Sequence, residues 1–218
     1  MKITAVILHY WEERLGNVDP IITSLRNGLR APDEILLFNN NPKYNLSKKG
    51  VKCINSAINF GSGSRYPVSL LEPSDWYLFI DDDLNVKEGT LRALEQAAEG
   101  LPEPVNLGLM GRKLQGKKYS QTDITRGDKV TELTEVDVLI RIYFVPFSGV
   151  MKMLQFEHDN PEIKTDDDIY LSFSDFCFVV PAKDGEYIKE LDAGGVGLEK
   201  RKDHFSNRDE VVSKLLNA

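Results

Sequence analysis

The sequence predicts an α/β protein built on an open, mostly parallel sheet flanked by helices. Short apolar runs rich in β-branched and aromatic residues recur at 3–8, 34–38, 51–54 and 76–80. Continuous runs of that length suit strands buried on both faces. Between the first two, Val18, Ile21, Ile22, Leu25 and Leu29 repeat at helical spacing,. Each run ends in a polar loop, and open α/β sheets bind ligands outside the carboxyl ends of their strands.

The first run, 3–8, stops at His9, Tyr10, Glu12, Glu13 and Arg14. It meets charge at once and has no small-residue cleavage pattern, so it reads as a core strand and not a leader. The helix that follows has Asp19 and Pro20 in its first turn and Gly28 and Pro32 near its end,. The second strand stops in Asn39-Asn40-Asn41-Pro42, a turn cluster,. After the third comes a Gly/Ser loop from Asn59 to Arg65, leading into a helix up to Leu71. The fourth, 76–80, ends in Asp81, Asp82 and Asp83.

A helix is expected over 87–98, a strand over 105–110, and hairpins or a flexible loop over 111–128. The stretch 136–145 is apolar and β-rich, interrupted by Asp137 and Arg141. A short helix is expected over 149–156, a helix begun by Asp166-Asp167-Asp168, and a strand within 176–180. A Gly-rich flexible loop at 192–197 precedes Arg201, His204 and a terminal helix over 208–216. We read one domain over 1–218, with a nucleotide-binding half at 1–100 and an acceptor and catalytic half at 101–218.

Composition narrows the classes. With 218 residues, 41% of them hydrophobic and 28% charged, the chain can bury one sizeable core or two small ones,. A formal net charge of -7 gives no global basic footprint for nucleic acid or anionic membrane,. Cys53 and Cys177 stand in apolar contexts, which suits buried free thiols and neither a disulfide framework nor a metal spacing,. No run approaches the roughly 18 apolar residues of a membrane span. The chain is expected to be cytoplasmic.

The chemistry centres on the aspartates. Three adjacent carboxylates at a strand end repel one another unless a cation joins them. A divalent metal that bridges a nucleotide diphosphate is one reading. A phospho-aspartate nucleophile at Asp81-x-Asp83 is a second. Capping of the next helix is a third, without chemistry. The second triplet can cap a helix, or Asp167 or Asp168 can face a reacting carbon as base or nucleophile. His204 is a surface histidine or a third metal ligand. Arg201, between Lys200 and Lys202, is a diphosphate clamp or part of a solvated basic run.

The order of these motifs resembles the GT-A fold of nucleotide-sugar glycosyltransferases, whose hallmark is a DxD metal motif after a strand. Within that fold it looks most like the exostosin-like, retaining enzymes of glycosyltransferase family 64. Phe38-Asn39-Asn40 resembles that family's aromatic-Asn-Asn nucleotide contact, and Asn59 its asparagine on the uridine side. Phe79-Ile80-Asp81-Asp82-Asp83 resembles the DxD segment. Asp167-Asp168-Ile169 resembles the segment whose second aspartate is the catalytic candidate. The span from Gly197 through Arg201 to His204 resembles the one that carries an arginine by the diphosphate.

The resemblance implies a metal-dependent transferase that moves a sugar from a UDP-sugar to a hydroxyl acceptor with retention, while Asp168 as a base would instead serve an inverting reaction, and the sequence does not decide between the two. Mn²⁺ or Mg²⁺ is expected on Asp83 and His204. The nucleotide is expected at His9, Tyr10, Asn39, Asn59, Arg65, Asp81 and Asp82. Asp167, Asp168 and Arg201 are the expected catalytic residues. A glycan is the expected acceptor, with a hydroxylated DNA base as a second choice that the acidic charge does not favour. The rival classes are a non-catalytic nucleotide-sugar or glycan-binding module and a metal-dependent phosphatase.

Overall fold

The computed structural model describes residues 1–116, 118–161, 167–183 and 186–216. In chain order the elements are β1 (Ile3–His9), α1 (Val18–Arg26), β2 (Glu34–Asn39), β3 (Lys52–Asn55), α2 (Arg65–Ser69), β4 (Trp76–Asp81), β5 (Leu84–Val86), α3 (Thr90–Glu99), β6 (Asn106–Gly108), β7 (Met110–Arg112) and β8 (Ile124–Arg126). There follow β9 (Thr134–Val136), β10 (Val138–Leu139), β11 (Ile142–Pro146), α4 (Phe147–Asp159), α5 (Asp167–Ser174), β12 (Cys177–Val179), β13 (Ile188–Glu190) and α6 (His204–Leu216).

The main sheet runs in the order β3-β2-β1-β4-β11-β6-β12-β9. The first four strands are mutually parallel. β11 runs antiparallel to both β4 and β6, and β12 is parallel to β6 while β9 is antiparallel to β12. A small sheet, β10-β7-β8, and the ribbon β13-β5 stand beside it.

Strand alternation divides the core between two faces. Along β1, Ile3, Ala5 and Ile7 join one hydrophobic cluster and Val6 the other. Along β4, Trp76, Leu78 and Ile80 join the first, and Tyr77 and Phe79 the second. Helices α1 and α3 cover the first face through Val18, Ile21, Ile22, Leu25, Leu91 and Leu94. Burying such side chains contributes about 1.5–3 kcal/mol each. Tyr66 of α2 and Val150 and Met153 of α4 cover the second. Trp76 and Phe144 stack across β4 and β11 with centroids 4.7 Å apart.

Several boundaries differ from those the sequence predicts. The stretch 105–110 is two strands, because the chain leaves the main sheet at Gly108 and enters the small one at Met110. The stretch 136–145 is likewise divided among β9, β10 and β11, with Arg141 at φ +68° just before β11. The terminal helix begins at His204, four residues before the expected start. Asp166 of the second triplet lies outside the described residues. Cys177 is buried as expected, but Cys53 is only half-buried on β3, the strand at the sheet's edge; both are free. Among the described residues no helix is long and apolar enough to cross a membrane.

Candidate functional site

Register builds the rim of the site. In the parallel ladder His9 stands opposite Asn39, Asn39 opposite Asn55, and Leu8 opposite Asp81. The carboxyl ends of β1 to β4 therefore present a row of polar residues on one edge. Tyr10 follows β1, Asn59 follows β3, and the aspartate triplet follows β4.

The asparagines organise the loops. Asn39 Nδ2 donates to the Tyr44 carbonyl and to Asn55 Oδ1, at 2.6 and 3.0 Å. Asn40 donates to Asn59 Oδ1 (2.9 Å) and to the Gly61 carbonyl (3.0 Å). The Phe60 N–H donates back to Asn40 Oδ1 (2.9 Å). His9 and Asn39 have 0% exposure, and their polar side-chain atoms meet neighbouring residues. Tyr10 is half-buried and Asn59 exposed. Beside Asn59 opens an apolar hollow of about 610 Å³, lined by Phe38, Ile54, Ile58, Phe60, Pro67 and Val68 among others.

Each aspartate of the first triplet has an arginine. Arg65 Nη1 lies 2.7 Å from Asp81 Oδ1. Arg14 Nη1 lies 2.9 Å from Asp82 Oδ1 and 3.2 Å from Asp83 Oδ2. Arg141 Nη2 lies 3.2 Å from Asp83 Oδ1, and its Nη1 reaches Glu190 Oε1 at 2.6 Å. Asp82 Oδ2 also meets His9 Nδ1 at 3.1 Å, while His9 Nε2 meets the Tyr44 hydroxyl at 2.8 Å. Asp82 thus ties β1, the turn after it and β4 together.

The loop at 192–197 is anchored. Arg14 Nε and Nη2 donate to the Ala193 and Val196 carbonyls, at 3.1 and 2.7 Å. Asn17 Nδ2 bridges the Asp82 and Asp192 carbonyls (3.0 and 2.8 Å). A Cβ on Gly194, at φ +62°, would lie 2.6 Å from Glu13 Cβ. Glycine alone meets both demands there.

The second cluster joins the first through Arg65. Its Nε lies 3.5 Å from Asp167 Oδ2, and Ser62 Oγ donates to Asp167 Oδ1 at 2.6 Å. Burial raises the pKa of Asp81, opposed by Arg65, and raises that of Asp167 in the same way. Burial works against the Arg65 charge, but Asp81 and Asp167 outweigh it and hold it well above its usual range. Asp168 is 6% exposed and takes two parallel bonds from Arg208, 2.8 Å to Oδ2 and 2.6 Å to Oδ1.

Arg201 is exposed before α6, and His204 is the first residue of that helix, with its ring edge-on to Phe205. Among the described residues, no group of three or more His, Cys, Asp or Glu side chains is arranged to hold a metal ion. Both oxygens of Asp83 are engaged by guanidinium groups instead. The sequence pointed to Arg65, but Arg14, Arg141 and Arg208 were missed. Arg141 carried a visible signal, a cation inside an apolar run. Arg14 stands in the polar loop 9–14 at the carboxyl end of the first strand, but neither it nor Arg208 shows its partner in the sequence, 68 and 40 residues away.

These elements make a GT-A-type fold, a mostly parallel sheet with its polar rim at the carboxyl strand ends. The chain is similar in structure to residues 1–349 of S. aureus TarS in complex with UDP-GlcNAc, at TM-score 0.65 and 14% identity, over 100% of this chain and 67% of that one. For the same TarS fragment in complex with UDP the TM-score is 0.60, again at 14% identity, covering 100% of this chain and 71% of that one. For a further crystal structure of S. aureus TarS it is 0.58 at 14% identity, and this chain spans 43% of it. No family model matches the sequence, and no curated protein matches it. The narrower likeness to family 64 therefore has no support beyond the motifs themselves.

Proposed function

We propose that this chain is a glycosyltransferase that moves a sugar from a UDP-sugar to a hydroxyl acceptor. The observation that carries this is Arg65, which draws Asp81 and Asp167 together at the carboxyl rim of a GT-A-type sheet. The neighbours' UDP-GlcNAc and UDP complexes support the choice of donor.

In this reading the nucleotide lies along the rim. Tyr10 and Asn59 touch it, and the apolar hollow beside Asn59 takes the base. Asp81 accepts from the ribose hydroxyls. His9, Asn39 and Asp82 act indirectly by holding the loops in place. Arg201, exposed and ahead of α6, meets the diphosphate and stabilises the charge that develops on it. Asp167, held by Ser62 and Arg65, orients the sugar. In this reading Asp168 is the general base: Arg208 grips it, and Oδ2 keeps an acceptor position for a proton. A base implies inversion at the sugar carbon, so proton NMR of the product should show the inverted anomer. Retention would remove Asp168 from that role.

The carboxylates suit a hard cation such as Mn²⁺ or Mg²⁺, but they do not form an open ligand set, since guanidinium groups fill it. Binding at Asp83 and His204 requires Arg141 to leave Asp83. A glycan end remains the proposed acceptor.

The test is UDP release from a panel of UDP-sugars, with Mn²⁺ and after chelation, alongside calorimetric titration with UDP. Binding and release support the proposal. UDP bound without turnover would favour a binding module, and phosphate freed from a simple phosphomonoester would favour a phosphatase. If no UDP-sugar is bound or consumed in either buffer, the proposal fails.

A further inference from the structure

Asp168 is the second residue of α5, and its environment is asymmetric. A carboxylate offers about four acceptor positions, two on each oxygen. Oδ1 receives Arg208 Nη2 at 2.6 Å and the Ile169 N–H at 3.1 Å. Oδ2 receives Arg208 Nη1 at 2.8 Å. Among the described donors, Oδ2 is the oxygen with capacity left.

Arg208 is itself held. Its Cζ lies 4.8 Å from the centre of the Tyr119 ring, over which Arg112 Cζ also sits at 4.8 Å. The Ser120 N–H and hydroxyl donate to Asp209, at 2.8 and 2.6 Å. Residues 119–121 thus grip α6 at the position next to Arg208. A guanidinium with both Nη atoms committed fixes the plane of a carboxylate, which a single ammonium cannot do.

We propose that Arg208 is a positioning residue for the transfer. It locks Asp168 so that Oδ2 faces the acceptor hydroxyl, and Tyr119 holds Arg208 in that pose. This rests on the reading of Asp168 as the base. In the step served, the acceptor oxygen bonds the sugar's reacting carbon. The bond from that carbon to the diphosphate breaks and its electron pair leaves on UDP. The acceptor proton passes to Oδ2. Water takes the acceptor's place when the donor is hydrolysed.

The experiment measures UDP release from the UDP-sugar that the wild type consumes fastest, together with UDP affinity, for Arg208→Ala, Arg208→Lys, Tyr119→Phe and Tyr119→Ala. A misplacement of the base by an ångström costs about 100-fold in rate. Arg208→Ala is therefore expected to lose about 100-fold in kcat with UDP affinity unchanged, and millimolar guanidinium should restore part of the rate. Arg208→Lys keeps the charge without the fork, guards against misfolding of the alanine variant, and should remain slow. Tyr119→Phe keeps the ring and should match the wild type, while Tyr119→Ala should follow Arg208→Ala. The proposal is overturned if Arg208→Lys turns over at the wild-type rate. It is also overturned if UDP affinity falls in step with kcat, since Arg208 would then serve donor binding or the fold, with the transferase reading intact. A wild type that consumes no UDP-sugar overturns both.

Discussion

Replacing Arg65 with methionine should cost stability in a way that depends on pH. Arg65 is buried and shared by Asp81 and Asp167, at 2.7 and 3.5 Å. Methionine fills much of the space but leaves two half-buried carboxyls without their cation. Removing one partner from a buried ion pair costs about 3–5 kcal/mol. At about 2–4 °C per kcal/mol for a chain of this size, Tm should fall by roughly 6–20 °C. Both carboxyls already have raised pKa values, with burial as the first cause. A raised carboxyl pKa stabilises the fold below the unfolded value and loses that contribution as pH rises through the folded value. Without Arg65 the folded values rise further, so the variant loses stability over a wider span. The gap from wild type should be small near about pH 5 and large near about pH 7. Urea titrations at the two values read it directly. A neutral-pH loss below about 1 kcal/mol, or an equal loss at both, would refute the shared-cation reasoning.

Three further outcomes are expected. Arg141 and a divalent cation compete for Asp83, so Arg141→Ala should bind Mn²⁺ about fivefold more tightly, the worth of a partly exposed pair near 1 kcal/mol; Mn²⁺ paramagnetic resonance measures it, and unchanged affinity counts against Arg141 as the competitor. Gly127→Ala would set a Cβ 2.5 Å from the Val180 carbonyl oxygen, which should cost about 1–3 kcal/mol by thermal melting. The Cys177 thiol is pushed up to about 12 by burial, so iodoacetamide at neutral pH should label the half-buried Cys53 and spare Cys177, as mass spectrometry of the peptides will show.

The strands read most directly from the sequence are those whose burial is continuous. β1, β2 and β4 begin where their apolar runs begin and extend one residue past them. β5 and β13 escaped because each has three residues and, among the described residues, they pair with one another outside the main sheet; three residues are too few to establish a period. The divided strands escaped because hydrophobicity records that a residue is buried but not which sheet buries it. Among the site residues, the aspartates announced themselves through crowded charge. Their counterions did not, since an arginine's partner is set by topology. Arg14 and Arg208 look like ordinary surface cations until β4 and α5 are placed beside them.

The reversed direction of β11 has a consequence for how the rim is assembled. Parallel strands can bring only their final residues to the edge where Asp81 lies. β11 runs the other way in the middle of the sheet, so it brings its beginning there, and Ile142 pairs with Ile80. Arg141 thus arrives opposite the aspartates from a distant part of the chain. Because side chains alternate along a strand, a slip of one residue in this ladder would turn Phe144 and Tyr143 to the wrong cores and carry Arg141 away from Asp83. The packing of Phe144 against Trp76 is therefore also the ruler that measures out the distance from Arg141 to the aspartates.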